Sequence, residues 1–420
     1  MTLQAMTFVS CIYDNTVVDD MPTTDDPQTA LISINVGILG DSRTRAGESQ
    51  ISNEDTKLKS LRVVITDEEG KVEINDKVEI DQPVTEKSLL YLVSVGPKKV
   101  FLIGNADNIP LYLQPAASEK PEADDDNTSS ETPEQPAQRV STTASKFFSM
   151  YQMGTPGFEE AVNNLYFENT YIEGVANTSS PRDIPLTSVY DIEAKAGGNQ
   201  EFEFWLVRAA TKYSIYFTNK REEAVFLRKL SISSPETEMF LMPHVGKSQQ
   251  TINDNYWIDW LRNVSDASQE QLDDQNWNSQ QGWITDYLIP ANSAKYEFTP
   301  VETNINEEIY RIPGSYTETG TTNVIPGKLE LGPFYATEGK NLAEGAAQNG
   351  LQSYTLNLTL HDIKEGQDVE LKRTLPTLGA LFRNTHLIIY VEFEEAYMHI
   401  YGEIGKWDLN PTAFGTANPE

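Results

Sequence analysis

Apolar residues recur at every second position in many short stretches of this chain, and this alternation constrains the fold more than any other feature. Between residues 30 and 39, Ile32, Ile34, Val36 and Ile38 alternate with less apolar positions. A period of two is typical of a strand with one buried face, whereas an amphipathic helix has a period near 3.6. Similar stretches, bounded by turn residues, occur at 61–66, 71–74, 91–105, 203–219, 225–233, 354–360, 385–393 and 396–404. We therefore predict an all-β protein with few short helices, one of them within residues 158–167.

The length and two polar stretches indicate how the strands are grouped. A chain of 420 residues suits two domains of about 200 residues. The stretch SSPETE at 233–238 resembles a joint between domains. We predict a leader at 1–28, an N-terminal β-sandwich domain at 29–233 and a C-terminal β-sandwich domain at 234–420. Residues 114–139 are rich in proline, serine and glutamate and cannot form a core, so we predict a disordered insert there.

The charge excludes two classes of partner. The chain has 63 acidic and 32 basic residues and a net charge of -31. Such a charge opposes binding to nucleic-acid phosphates and also opposes a basic helix on a membrane surface. It suits a soluble or surface-exposed protein that repels its neighbours.

Cys11 is the sole cysteine, which excludes an intramolecular disulfide. It ends the stretch FVSC, which has the small residue that precedes the lipidated cysteine of bacterial lipoproteins. However, only ten residues precede it and none is basic, whereas a full signal has a charged region and a longer apolar run. Two interpretations stay open. Cys11 is a lipidation site whose leader starts upstream, or it is an incidental thiol in a flexible terminus.

No motif for catalysis, for a metal or for a cofactor stands out. His244, His361, His386 and His399 are scattered, and no pair has the i, i+4 spacing of a zinc site on a helix. We expect no cofactor, no metal and no enzymatic activity, and we expect His386 and His399 to be surface residues on strands. A glycosidase stays open as a further alternative, because none of the many carboxylates is marked out as a catalytic pair.

Four tryptophans cluster in a polar stretch within residues 250–285. Two interpretations of them are possible: a platform on which sugars stack, or aromatic residues of a core and its loops. The four are Trp257, Trp260, Trp277 and Trp283.

Arg43 and Arg45 are the first basic residues of the chain, and they lie between the strand at 30–39 and the strand at 61–66. A cut there would detach the first strand alone. Its removal would expose unpaired backbone groups and the pockets of its apolar side chains, and such an edge accepts a strand from another chain. The alternative is an ordinary polar loop, with the protein a stable monomer or an anchor subunit.

Several pieces of the sequence, in this order and spacing, resemble the fimbrillins, the type V pilus subunits of Bacteroidales bacteria such as Porphyromonas and Bacteroides. The resemblance extends from about residue 30 to the end, except at 114–139 and at about 250–300. The pieces are TRAGES (44–49), LRVVITDEEGKV (61–72), KKVFLIGNAD (98–107), WLVRAATKYSIYFTN (205–219), GPFYATEGKN (332–341), LFRNTHLIIYV (381–391) and Trp407.

The resemblance implies two tandem transthyretin-like Greek-key β-sandwich domains and a specific route of assembly. Fimbrillins are exported to the outer membrane as lipoproteins, and an arginine-specific protease removes the leader together with the first strand. A C-terminal segment of another subunit then fills the groove. Carried onto this chain, Cys11 is the lipid site, and the bond from Arg45 to Ala46 is the first candidate for cleavage, with Arg43 second. The strand removed carries Ile32, Ile34, Val36 and Ile38. The donor segment spans 396–409, with Tyr397, His399, Tyr401, Ile404 and Trp407.

The leading hypothesis is therefore a structural subunit of a cell-surface fimbria with a role in adhesion, made as a lipid-anchored outer-membrane precursor. Its partners would be other fimbrial subunits, bound by strand exchange, and the protease. The alternative is a surface lipoprotein or tip adhesin that binds a host glycan or protein through the Trp-rich region at 250–285.

Overall fold

A computed structural model gives the architecture of most of the chain. It describes residues 28–39, 57–113, 140–173, 182–236, 238–243, 293–298, 311–338, 354–362, 367–375, 383–394 and 398–406. The described part consists mainly of strands in several sheets, so the predicted all-β class is confirmed. The transthyretin-like topology stays a prediction.

Twenty-two strands and three short helices lie within the described residues. The strands up to residue 208 are β1 (Thr29–Ile38), β2 (Leu61–Thr66), β3 (Val72–Val78), β4 (Glu86–Ser94), β5 (Gly96–Gly104), β6 (Pro110–Leu113), β7 (Val140–Thr143), β8 (Leu165–Glu168), β9 (Leu186–Ala194) and β10 (Asn199–Arg208). The later strands are β11 (Thr211–Asn219), β12 (Val225–Glu236), β13 (Glu238–Phe240), β14 (Ser293–Phe298), β15 (Arg311–Ile312), β16 (Tyr316–Thr317), β17 (Val324–Ile325), β18 (Gly327–Ala336), β19 (Tyr354–Asp362), β20 (Gln367–Leu375), β21 (Thr385–Phe393) and β22 (Met398–Lys406). The helices are α1 (Ala144–Ser149), α2 (Phe158–Asn163) and α3 (Asn169–Glu173).

Seven strands form the first sandwich. Their hydrogen-bonded order is β3-β2-β5-β9-β10-β1-β4. β9 and β10 share only two residue pairs, Thr187 with Val207 and Leu186 with Arg208, so the sheet folds at this point into two halves. The apolar side chains of both halves meet in one core. β1 therefore lies inside one half, between β10 and β4.

The two outer strands of this sheet, β3 and β4, are also joined. Tyr91 Oη donates a hydrogen bond to Asp76 Oδ2 at 2.9 Å, and Ser94 N donates to Glu73 Oε2 at 3.0 Å. Burial, with the nearby Asp76 charge, raises the pKa of Tyr91, so its hydroxyl stays protonated and donates at neutral pH. These bonds hold β4 to the opposite half of the sandwich independently of β1.

The predicted strands at 61–66 and 71–74 belong to β2 and β3, which pair as a hairpin. Asp67 Oδ1 accepts hydrogen bonds from Glu69 N at 3.0 Å and from Lys71 N at 2.8 Å, which closes the turn. Gly70 has a φ of +73°, a conformation that favours glycine. The turn residues thus fix the pairing of the two strands.

A smaller layer packs beside the first sandwich. Its sheet has the order β13-β8-β6-β7, and the helices cover it with phenylalanines such as Phe147 and Phe158. The predicted helix at 158–167 is shorter than expected. α2 ends at Asn163, and residues 165–168 form β8, because their backbone pairs with β6 and β13 and three of the four side chains are buried.

Two further sheets face each other in the second sandwich, and their orders are β18-β11-β21-β22 and β14-β12-β19-β20. The core between them includes Tyr213, Ile215 and Phe217 of β11 and Leu356 and Leu358 of β19. The alternating residues of β19 and β21, such as Leu356, Leu358, Leu387 and Ile389, pack in this core as predicted. In β21, however, residues 385–389 are all buried, so its burial alternates only after Ile389.

The structure divides the sandwiches earlier than the sequence suggested. The expected boundary between residues 233 and 234 falls inside β12, which pairs with β14 and β19 of the second sandwich. The single long strand expected at 203–219 is instead two strands, β10 and β11, separated at Ala209 and Ala210. Ala209 N donates to Pro185 O at 2.7 Å and Ala210 O accepts from Asn384 N at 2.8 Å, so both alanines bond outside either ladder and the chain crosses to the second sandwich there.

Candidate functional site

β1 is held on both of its edges. It pairs in parallel with β10 from Leu31 opposite Asn199 to Ile38 opposite Leu206. On its other edge it pairs antiparallel with β4, from Thr29 to Gly37. A strand enclosed in this way leaves a slot with two unpaired edges when it is removed, whereas an outer strand leaves only one. We call the space that β1 fills between β10 and β4 the β1 slot.

The inward side chains of β1 fill the first core. They are Ala30, Ile32, Ile34, Val36 and Ile38, each no more than 1% exposed. They pack with side chains of β2, β5 and β9 from the opposite half of the sandwich. The four residues predicted to line the inward face therefore do so. Burying four such side chains contributes on the order of 6–10 kcal/mol.

The outward face of β1 has a buried apolar residue, Leu31, followed by Ser33, Asn35 and Gly37, which are partly exposed. Ser88 Oγ donates to Asn35 Oδ1 at 2.7 Å, which ties the outer surfaces of β4 and β1 together. Beside Gly37, which has no side chain, the surface has a hollow of about 220 Å³ bordered by Glu86, Glu203 and Trp205. Gly37 lies opposite Trp205 in the ladder.

The C-terminal end of β1 is bound by Arg208, which is fully buried. Arg208 Nη1 donates to Leu39 O at 2.7 Å and to Asn384 Oδ1 at 3.1 Å, and Leu39 N donates to Leu206 O at 2.9 Å. Because Asn384 immediately precedes β21, the same guanidinium joins the end of β1 to the second sandwich.

A buried ion pair lies next to this contact. Arg383 Nη2 donates to Glu338 Oε1 at 2.7 Å, and both side chains are at most 2% exposed. Arg383 also donates to Leu241 O at 3.0 Å and to Phe240 O at 2.8 Å, so its charge is satisfied by several acceptors. Three of the pieces that carry the family resemblance thus meet here, through Arg208, Glu338 and Arg383.

Sequence reasoning missed the roles of Arg208, Gly37 and Trp205. Arg208 lies at a polar position of the alternating stretch 203–219, and in a strand with one buried face such a position points outward. It is buried because the chain turns at Ala209 into the contact between the two sandwiches. Gly37 gave a usable signal, since a glycine inside a strand often marks close approach of a neighbour.

Other predicted residues are only partly covered by the structure. Of the predicted donor residues, His399 is exposed on β22, and the backbones of Tyr401 and Ile404 lie in β22. The remaining predicted residues lie outside the described residues: Cys11, Arg43, Arg45, Ala46, Trp257, Trp260, Trp277, Trp283, Tyr397 and Trp407. The insert at 114–139 also lies outside them.

His386 was expected at the surface, and this prediction is wrong. It is 2% exposed, and its Nε2 lies 2.9 Å from Ser214 Oγ, because β21 pairs with β11 inside the second sandwich. Within the described ranges, no group of three or more His, Cys, Asp or Glu residues is placed to hold a metal ion. No helix among the described residues is long and apolar enough to cross a membrane.

Comparison with known proteins gives matches only among solved structures. No protein-family model matches the chain, and no curated protein matches it. The tip fimbrial protein Mfa3 from Porphyromonas gingivalis, with a C-terminal truncation, is 11% identical, with 90% of this chain and 100% of that chain covered and a TM-score of 0.46. A protein from Parabacteroides distasonis whose description names cell adhesion is 9% identical, with 91% and 98% covered and a TM-score of 0.47. The fimbrial anchor protein Mfa2 from Porphyromonas gingivalis is 10% identical, with 90% and 98% covered and a TM-score of 0.33.

The structural neighbours of this chain are fimbrial and adhesion proteins of the Bacteroidales. The sequence pieces from TRAGES to Trp407 resemble the fimbrillins, which are also fimbrial proteins of the Bacteroidales. With TM-scores below 0.5 and identities near 10%, these likenesses assign neither a family nor a function to the chain.

Proposed function

We propose that the chain is a structural subunit of a bacterial surface fimbria that assembles by strand exchange in the β1 slot. It is exported as a lipoprotein modified at Cys11, cut after Arg45, and then accepts a strand from another subunit in place of β1. The observation that carries the proposal is the enclosed position of β1, with ladders on both edges and an apolar inward face.

Two features of the first sandwich support replacement of β1 by another strand. β1 is the first described strand, so one cut between residues 40 and 56 separates it from β2 and all later strands. β4, one of the two strands that border the slot, stays attached to β3 through the hydrogen bonds from Tyr91 to Asp76 and from Ser94 to Glu73. Only one residue, Val95, separates β4 from β5 in the opposite half. β4 therefore has attachments that do not depend on β1, and β10 has its two residue pairs with β9 and the hydrogen bond from Trp205 N to Tyr190 Oη.

The apolar burial and the backbone hydrogen bonds that the slot offers are sufficient for a long-lived assembly. An incoming strand regains the inward burial worth about 6–10 kcal/mol and two backbone ladders. Such an interface dissociates very slowly, as a fimbria requires. The large negative charge of the subunits opposes non-specific association, so only a strand that fits the slot overcomes the repulsion.

Brief trypsin digestion of the full-length chain tests the proposal. We expect a new N-terminus at Ala46, or at Thr44 after cleavage at Arg43, and oligomers in light scattering once β1 dissociates. The matched control is the double variant R43Q/R45Q, which we expect to stay intact at this segment and monomeric. Resistance at both arginines, or a product that has lost β1 and remains a monomer, contradicts the proposal.

A further inference from the structure

The apolar alternation of β1 does not by itself define how a replacement strand is aligned. A slip of one residue turns every inward side chain outward, and the core rejects it. A slip of two residues keeps an alternating strand with its apolar face inward. The β1 slot therefore needs a second feature to distinguish registers that differ by two residues.

The contact between Gly37 and Trp205 distinguishes registers that differ by two residues. These residues are directly paired across β1 and β10. A Cβ atom added at Gly37 would lie 3.1 Å from Cζ3 and 3.3 Å from Cε3 of the Trp205 ring, closer than nine in ten natural Cβ contacts, so the ring would have to shift by a few tenths of an ångström. Glycine inside a strand costs stability through backbone entropy, so its place here is explained by the ring that covers it.

Trp205 is held in place by residues that remain when β1 leaves. Its backbone N donates to Tyr190 Oη at 2.7 Å, and its O accepts from Tyr190 Oη at 2.9 Å and from Ser188 Oγ. Tyr190 also stacks on Phe204, with 4.2 Å between ring centroids. Tyr190 and Ser188 belong to β9, in the opposite half of the sandwich. These bonds fix the backbone of β10 at the point where the ring meets the strand in the slot.

We propose that Trp205 sets the register of the strand that occupies the β1 slot and requires a glycine opposite its ring. This inference rests on the proposed strand exchange and adds a rule for the incoming segment. The segment is extended, carries apolar residues at alternate positions, and has glycine between the last two inward residues, as Gly37 lies between Val36 and Ile38. Slips by two residues bring Asn35 or Leu39 to the ring and are rejected.

The rule leaves two registers for the predicted donor segment of a second copy of this chain, because the segment contains Gly402 and Gly405. Gly405 follows Ile404 as Gly37 follows Val36. Aligning Gly405 with Trp205 places Met398, Ile400, Gly402, Ile404 and Lys406 at the five inward positions, so Lys406 takes the place of Ile38 at the end of the slot. Aligning Gly402 instead brings Tyr397, His399 and Tyr401 inward, with Glu395 and Glu403 at the two end positions. The requirement for apolar inward residues therefore favours the Gly405 register.

Melting of the intact chain tests the contact without any exchange. We expect Gly37→Val to lower the melting temperature of the first sandwich by about 3–10 °C, because the branched side chain is forced against the ring. In a Trp205→Ala background, the same change should cause no loss, since valine favours a strand more than glycine does. Ser33→Val, on the same face opposite Glu201, is the matched control and should cause no loss. A neutral or stabilising Gly37→Val, or equal losses in both backgrounds, overturns the inference.

Peptide capture then separates the failure of this rule from the failure of strand exchange. Protein cut between residues 40 and 56 is unfolded in denaturant to release its own β1, and is then refolded with an excess of a labelled peptide of residues 28–39 or of its Gly37→Val form. We expect capture of the natural peptide and about tenfold weaker capture of the variant, with the difference lost in Trp205→Ala protein. Equal capture of both peptides overturns the rule and leaves the slot intact. Capture of neither, with the melting result as expected, overturns the proposed exchange and leaves the contact between Trp205 and Gly37 established.

Discussion

The first and last strands that the structure describes are held in different ways. β1 lies between β10 and β4, and all of its inward side chains are buried. β22 is an outer strand that pairs with β21, and its side chains Met398 and Ile400 are only partly buried. Loss of β1 opens the core of a sandwich, whereas loss of β22 uncovers one edge. The N-terminal strand is thus part of a closed core, whereas the C-terminal strand covers one edge of a sheet.

Deleting each strand gives the largest expected contrast. A chain without residues 1–39 should lose the cooperative fold of the first sandwich, because the core is opened and two edges are exposed. Adding the peptide of residues 28–39 should restore it. A chain without residues 398–420 should keep both sandwiches folded. Circular dichroism melts and amide hydrogen exchange measure both outcomes. A cooperative first sandwich in the absence of both β1 and the peptide would show that β1 is not needed to complete the core.

Single substitutions repeat the contrast on a smaller scale. Ile34→Ala removes methyl groups from a side chain that is 0% exposed and should cost about 2–5 kcal/mol of unfolding free energy. Ile400→Ala, at a partly buried position of β22, should cost about half of that or less. Ser33→Ala on the outward face of β1 is the control and should change stability by no more than about 0.5 kcal/mol. Urea unfolding measures all three, and equal costs at residues 34 and 400 would remove the distinction between the two strands.

The sequence predicted the strands better than it predicted their neighbours. Alternation located β1 and its inward isoleucines because the period of two is a local property. The parallel pairing of β1 with β10 joins residues that are far apart in the sequence, and no local pattern contains it. This pairing makes β1 an enclosed strand, which is the basis of the proposed site.

Local sequence patterns also fail to predict where some polar residues lie. Arg208 occupies a position that alternation assigns to the surface, yet it is buried where two sandwiches meet. Its partners, Leu39 O and Asn384 Oδ1, come from distant parts of the chain. A buried charge of this kind is recognised only when the acceptors that satisfy it are known.

The smallest expected effect concerns a surface ion pair beside β22. Lys220 Nζ lies 2.8 Å from Glu394 Oε1 and 3.3 Å from Glu392 Oε2, and so joins the end of β11 to the end of β21. The hydrogen bond and charge of Lys220 lower the pKa of Glu394, with a smaller contribution from His399. The hydrogen bond to Glu394 raises the pKa of Lys220. Both groups are exposed, so the pair is screened by salt and its contribution is small.

The signs of the two shifts define the pH range in which this pair stabilises the fold. The lowered pKa of Glu394 gives stability that is present above its ordinary value of 4.5 and is lost as the pH falls through the lowered value. The raised pKa of Lys220 gives stability that is present below 10.5 and is lost as the pH rises through the raised value. The Lys220→Met variant should therefore melt slightly below the unmodified chain at neutral pH, and this difference should vanish in strong acid and in high salt. Lys372→Met, at an exposed lysine that forms no ion pair with a described residue, should show no such dependence. If the difference at Lys220 persists in acid, the contact acts through packing of the apolar lysine stem rather than through charge. The edge beside β22 is then stabilised by apolar contacts, as β1 is.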